Sequence, residues 1–283
     1  MLSTLREVKR LSEQVGTINA LHLKAKHACA RQLCRVGYQP ELLPVSVPVR
    51  GLAHPLLLRP ATSDYLVFKQ IYVEREYAPL DDFAPPELIV DCGANVGYTS
   101  AYFLSRFPNA QVIALEPDPS NAVLCRRNLE PYGDRVQLLE RAVWSHPARL
   151  TLLHFGRLGD QGECGIQVFE ADSSAADFPE HVHRGPNPPV PAGEVEALDI
   201  DAVIELGGGK PIDILKLDIE KSELVIFDNA ALPWLERVKN IVIELHSSEA
   251  SERFFRAMEP YVYDCGTSGE LTICRNIKPR AAA

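Results

Sequence analysis

Two groups of residues in this chain have the types and spacing that chemistry needs. The first is Asp91-x-Gly93-x-Asn95-x-Gly97, directly after the apolar run Leu88-Ile89-Val90, together with Glu116, which ends the next apolar run, Gln111–Leu115. Glycines let a backbone turn sharply and approach a ligand where a side chain would collide. An acid at the tip of a second strand can accept both hydroxyls of a ribose. The second group is Asp218-Ile219-Glu220 after the run Ile212–Leu217, with Glu244-x-His246 closing the run Val238–Leu245. Carboxylates and an imidazole at strand ends suit proton removal, which contributes about 10²–10⁴-fold to a rate, and the reference pKa of His, about 6.5, fits neutral pH. Asp218, Glu220 and His246 are also adequate ligand types for a divalent ion, but no metal is assigned from the sequence.

Such residues meet only if an open parallel sheet holds its strand ends together, and the pattern around them predicts that sheet. Apolar runs at Leu88–Val90, Gln111–Leu115 and Val136–Leu139 alternate with helical stretches Tyr98–Phe107 and Ser120–Leu129. The alternation resumes with Ile212–Leu217, helix Glu223–Phe227, Val238–Leu245 and helix Ser251–Met258. Tyr261–Tyr263 and Glu270–Cys274, joined through Gly266 and Gly269, predict a closing antiparallel hairpin. Strand–helix alternation is the signature of a doubly wound α/β sheet, whose ligands lie outside the strands' carboxyl ends. Between Trp144 and Leu198 the pattern pauses: Leu150–Phe155 and Ile166–Phe169 read as strands, and the Pro-rich stretch Ala171–Gly193 as a long surface loop.

Upstream, Leu2, Leu5, Val8, Leu11, Val15, Ile18 and Leu21 recur at helical steps, with a break expected at Gly16. Val45–Val49 and Leu56–Leu58 read as short strands, and Ser63-Asp64 as the N-cap of a helix over Tyr65–Tyr77. The expected division is an N-terminal helical arm and irregular cap over residues 1–80, then a ligand-binding domain over 81–283 with an insertion at about 156–195. Packing on its own domain is the plain reading of the arm, beside which it would cover a site or build a homodimer interface.

Two cofactor classes use an acid such as Glu116. A dinucleotide loop wants G-x-G-x-x-G, and counting from Gly93 its later glycines fall on Asn95 and Tyr98. A pyrophosphate would also meet Asp91. S-adenosylmethionine carries no phosphate, and its ammonium favours a nearby acid, so the spacing fits the methyl donor better. Asp91, Gly93, Asn95, Gly97 and Glu116 are the expected cofactor contacts, with the backbone at Ala142 and Val143 reading an adenine edge. Tyr98 either stacks on the cofactor or packs the helix start. Asp218 either holds donor or acceptor or caps the next helix, and Glu220 either takes a proton or caps. His246 is the second base candidate or a solvated strand-end residue. Lys216 reads as an ion-pair partner of these acids, Glu223 as a structural contact, and His154, His181 and His183, in or near the insertion, as solvated residues or substrate contacts.

Composition narrows the partners. There are 29 Lys and Arg against 38 Asp and Glu, a net charge of −9, which argues against polyanion binding. No run approaches the roughly 20 apolar residues of a membrane helix, and the polar residues between Leu2, Leu5, Val8 and Leu11 do not read as a signal peptide. Seven scattered cysteines without a CxxC pair suit reduced thiols in a cytosol.

Three stretches in order, Ile89–Gly97, Ala114-Leu115-Glu116-Pro117-Asp118-Pro119 and Asp213–Glu220, resemble the FkbM family of S-adenosylmethionine-dependent methyltransferases, as do Thr62–Phe68, Glu76-Tyr77 and Leu198-Asp199. The resemblance implies a class I methyltransferase fold, with a mostly parallel seven-stranded sheet and an antiparallel final strand. It also implies O-methylation of a small-molecule hydroxyl on a polyketide, sugar or other secondary metabolite. One position departs: the family usually has Asp-x-Glu-Gly-x-Glu, and here Lys221 stands at the glycine, which is expected to narrow or recharge the acceptor pocket. Two readings stand beside this one: a nucleoside-binding module without turnover, and a nicotinamide oxidoreductase.

Overall fold

The computed structural model describes residues 2–34, 37, 43–154, 166–170, 190–228 and 232–281. The apolar stripe of the arm breaks where glycine predicts. Helices α1 (Leu2–Val15) and α2 (Thr17–Cys34) meet at Gly16, whose φ of +81° is the left-handed turn common after helix ends. The turn rotates the buried face. Leu11 and Val15 are buried in α1, whereas α2 buries Ala20, Leu23 and Ala30 and leaves Ile18 and Leu21 exposed. The single stripe expected across the break is therefore two stripes out of phase.

Strands β1 (Val45–Val47) and β2 (Leu56–Leu58) pair antiparallel. The helix expected over Tyr65–Tyr77 is only α3 (Asp64–Phe68) followed by a π-helical turn, Lys69–Glu74, which Arg75 closes at φ +60°. Ser63 makes no side-chain cap. Asp64 is instead buried against the Arg59 guanidinium, 2.7 Å from Oδ1, so this acid is consumed by an ion pair.

The main sheet begins with β3 (Leu88–Cys92), then α4 (Tyr98–Arg106), β4 (Gln111–Leu115), α5 (Pro119–Leu129) and β5 (Val136–Leu139). Next come the inserted strands β6 (Ala142–Val143), β7 (Ala148–His154), β8 (Ile166–Glu170) and β9 (Val190–Leu198). The chain returns through α6 (Ile200–Leu206), β10 (Ile214–Leu217), α7 (Glu223–Ile226), β11 (Ile241–Glu244), α8 (Ser248–Met258), β12 (Tyr261–Ser268) and β13 (Leu271–Pro279). The main sheet has seven strands in the order β12-β13-β11-β10-β3-β4-β5. All neighbours from β11 to β5 are parallel, and β13 runs antiparallel between β11 and β12. The chain leaves β3 first toward β4 and later toward β10, so strand order reverses beside β3 and a crevice opens at the carboxyl ends there.

Every residue of β3 is buried because both sheet faces are covered. Ile89 faces the core shared with α4, α5 and the N-terminal arm. Leu88, Val90 and Cys92 face the core under α6, α7 and α8. The insertion forms its own four-stranded sheet, β6-β9-β7-β8. The loop expected over Ala171–Gly193 therefore gives way to strand by Val190, where Val195 and Ala197 alternate inward against exposed Glu194 and Glu196. The rest of that stretch, with His181 and His183, lies outside the described residues.

Candidate active site

Beyond β3 the chain folds back over the strand tip through three left-handed residues, Gly93 (φ +78°), Asn95 (+50°) and Gly97 (+85°). At Gly93 there is no room for a side chain: a Cβ would stand 1.8 Å from the carbonyl oxygen of Asp218. The N–H groups of Gly93 and Ala94 donate to the Leu115 carbonyl at 3.0 and 2.9 Å, which ties the loop to β4. Glu116 reaches back to the same loop. Its Oε2 accepts the N–H of Asn95 at 2.7 Å and its Oε1 that of Asp118 at 3.0 Å. Burial pushes this carboxyl up to about 7, against the opposing pull of the two amides.

Under the loop lies a buried ion pair. Asp91 Oδ1 is 3.1 Å from Lys216 Nζ, and its Oδ2 accepts from the Ser100 hydroxyl at 2.6 Å. The lysine also donates to the Gly93 carbonyl at 2.6 Å and sits 3.5 Å from Asp218 Oδ2. Burial disfavours the ammonium, but Asp91 and Asp218 outweigh it and hold Lys216 well above the usual lysine value. Lys216 thus fastens the loop to the end of β10, in the ion-pair role its sequence context predicts.

A dense acidic cluster follows β10 and β11. The Nε2 of His246 lies 3.4 Å from Glu244 Oε1, 3.8 Å from Glu220 Oε2 and 3.9 Å from Asp218 Oδ1. Its Nδ1 is hydrogen-bonded at 2.8 Å to Glu223 Oε1, whose side chain is fully buried on α7. Burial works against an imidazolium here, yet Glu223 and the other acids raise His246 to about 9. Burial raises Glu220 to about 7 and, with Asp218, Glu244 to about 8.

At the opposite end the inserted sheet comes down over the site. His154, the last residue of β7, places Nε2 at 2.6 Å from Asp118 Oδ2. Asp118 caps α5 by accepting the N–H of Asn121 at 2.9 Å. Burial opposes the Asp118 carboxylate, but hydrogen bonds from His154, Ser120 and Asn121 bring its pKa down to about 2. The same bond raises His154, against its burial. Arg59, from the N-terminal part, donates to the Asn121 side chain at 2.7 Å.

These ends enclose one cavity of about 330 Å³, within the roughly 300–1,000 Å³ typical of small-molecule sites. Gly93, Asn95, Glu116, Ala142 and Val143 line it with Asp218 and Glu220. Three expected contacts do not. Asp91 is consumed beneath the loop by Lys216 and Ser100. Gly97 packs α4 onto α5, where a Cβ would meet Cys125 Sγ at 3.0 Å. His246 stands behind the acids. Tyr98 borders the cavity but is 1% exposed, and its hydroxyl donates to the Leu57 carbonyl, so its ring packs the helix start. Lys221, outside the lining, holds φ +76°, the conformation for which glycine is suited, so its substitution bears on the backbone and not on the pocket. Sequence reasoning missed the Asp118–His154 pair, Arg59 at the cavity wall and Glu223 as the partner of His246. Each joins residues far apart in sequence, and a proline after Glu116 was the one local hint of a shaped turn.

The strand order, the reversed β13 and a glycine-rich loop facing an acid at the tip of the second strand define a class I methyltransferase fold. A family model described as the methyltransferase FkbM domain matches residues 91–268, more than half of the chain. The chain belongs to this family of methyltransferases. It is similar to the AMB antimetabolite synthetase AmbE of Pseudomonas aeruginosa, 27% identical over 211 residues, which cover 64% of this chain and 9% of that protein. It is also similar to the 2-O-methyltransferase NoeI of Sinorhizobium fredii, 27% identical over 168 residues, 59% of this chain and 63% of NoeI. The crystal structure of an FkbM methyltransferase from Methylobacillus flagellatus KT aligns with a TM-score of 0.41 at 15% identity, over 70% of this chain and 45% of that one. Among the described residues no helix is long and apolar enough to cross a membrane.

Proposed function

We propose that this chain is an S-adenosylmethionine-dependent O-methyltransferase acting on a hydroxyl of a small molecule. The observation that carries the proposal is the two-ended cavity, with Glu116 beside the glycine loop at one end and Asp218 and Glu220 at the other. The residues fit the donor. Gly93 lets the loop lie directly against the Asp218 carbonyl while lining the cavity, and Glu116 Oε2 keeps a lone pair beyond its bond from Asn95 for a ribose hydroxyl. Oxygen as the acceptor atom is supported by the name of NoeI, a 2-O-methyltransferase.

When bound, S-adenosylmethionine supplies a methyl carbon made electrophilic by a positively charged sulfur. The chain's own work is placement and proton removal. Lys216 and Asp91 fix the loop against the end of β10, which would hold a bound donor in a set position relative to the acceptor; such orientation is worth ~7–11 kcal/mol. Asp218, with one oxygen turned to Lys216, orients the acceptor. Glu220 takes the hydroxyl proton onto its carboxylate, leaving the oxygen as the nucleophile. His246 is held behind them by Glu223 and balances their charge.

The test is calorimetric titration of wild type and Glu116→Ala with S-adenosylmethionine, alongside methyl transfer to a panel of hydroxylated acceptors. Loss of the charged hydrogen-bond acceptor should weaken donor binding by about 1–3 kcal/mol, and wild type should methylate at least one hydroxyl. Unchanged affinity in the variant, or binding of NAD and not of the donor, would overturn the reading.

A further inference from the structure

The geometry points to a divalent-cation site formed by Asp218, Glu244 and His246 at the acceptor end of the cavity, a site that would hold the acceptor hydroxyl on the ion. One ligand atom from each residue lies within 4.8 Å of the other two. Two atoms bound to one ion at ~2.1 Å can be at most ~4.2 Å apart. The separations of His246 Nε2 from Glu244 Oε1, 3.4 Å, and from Asp218 Oδ1, 3.9 Å, already fall inside that limit.

A second, independent observation concerns the imidazole. Glu223 is fully buried on α7 and accepts at 2.8 Å from His246 Nδ1, while its other oxygen has no partner among the described residues. A buried carboxylate on one ring nitrogen fixes the tautomer and aims the other nitrogen's lone pair at its target, the arrangement usual behind metal-bound histidines. That target is a gap faced by carboxylate oxygens. Carboxylates facing Nε2 call for a cation between them, and a divalent ion binds there by displacing the ring proton that otherwise balances their charge.

The donor set selects the ion. An imidazole with two carboxylates favours Mn²⁺, Fe²⁺ or Zn²⁺ over ions that want oxygen alone. Asp218 and Glu244 line the cavity, so the open coordination positions face the acceptor. A hydroxyl on the ion is acidified before Glu220, 3.8 Å from His246, receives its proton. This inference rests on the methyltransfer reading only for the identity of that oxygen ligand; binding of the ion itself does not depend on it.

The experiment titrates the EDTA-treated full chain with Mn²⁺, followed by calorimetry and by the electron paramagnetic resonance signal of free Mn²⁺. One site per chain with micromolar affinity is expected, weakened at least 10-fold in His246→Asn and Glu244→Gln and about 10–100-fold in Glu223→Gln. Far-UV circular dichroism of each variant confirms folding, and the wild-type titration stands without them. Millimolar or non-stoichiometric binding, or equal affinity in all variants, overturns the site. So does saturable binding of a primary amine probe that Mn²⁺ cannot displace, which would assign the acids to a cationic acceptor. Donor binding measured in EDTA separates the readings: S-adenosylmethionine bound without Mn²⁺ binding removes the metal and leaves the methyltransferase proposal standing.

Discussion

Lys221 holds a backbone angle of +76° next to Glu220 at +48°, two side-chain-bearing residues in succession in the left-handed region. That region costs an ordinary residue roughly 1–2 kcal/mol, while a glycine gives back part of the gain through its freer unfolded chain. Lys221→Gly should therefore raise stability by about 1 kcal/mol net, read as a higher urea midpoint at unchanged slope. Donor affinity should not move, because Lys221 does not line the cavity. The departure from the family motif was legible in the sequence, but its meaning was not, since a motif carries no φ. Glu223 teaches the same lesson. Its type and position suggested a helix contact, and no spacing rule connects it to a histidine 23 residues away on β11's continuation.

Between elements, the ion pair of His154 with Asp118 joins the end of β7 to the start of α5. The His154 pKa is raised above the ordinary 6.5, so its contribution is full below that value and is lost as pH rises through the elevated one. The Asp118 pKa is depressed from 3.8 to about 2, so its contribution is present above 3.8 and is lost as pH falls through 2. In His154→Gln the melting temperature should fall below wild type most between about pH 3.8 and 6.5. The gap should close as pH climbs further; a gap constant with pH would rule out the ionic role. The difference should be modest, since the imidazole is 39% exposed and partly screened. Strands such as β3, β4 and β10 were legible because buried parallel strands are continuous apolar runs. β9 was obscured: its inward Val195 and Ala197 alternate correctly, but Pro191 and Gly193 mask the signal.

Taken whole, the molecule does not carry its N-terminal arm as an appendage. Leu11, Val15, Ala20 and Leu23 share one core with Phe68, Tyr98 and Ile89 of the sheet face. Fully burying a Val or Leu is worth about 1.5–3 kcal/mol, against a total stability of about 5–15 kcal/mol for a typical domain. A chain lacking residues 1–34 should melt at least 10 °C lower, or show no cooperative transition by circular dichroism; an unchanged melt would make the arm dispensable. The sequence revealed that a helical arm exists but misjudged which side it buries, because a helical count carried through Gly16 ignores the rotation a left-handed residue imposes. The inserted sheet is the counter-example. Its buried Trp144, Leu150, Leu152 and Val168 form a separate small cluster that shares no buried residue with either main core. Such a unit has a core of its own above the cavity, tied to the main one chiefly through Val143 of β6, so substitutions at Leu150 or Val168 should loosen the ceiling of the cavity while the seven-stranded sheet keeps its packing.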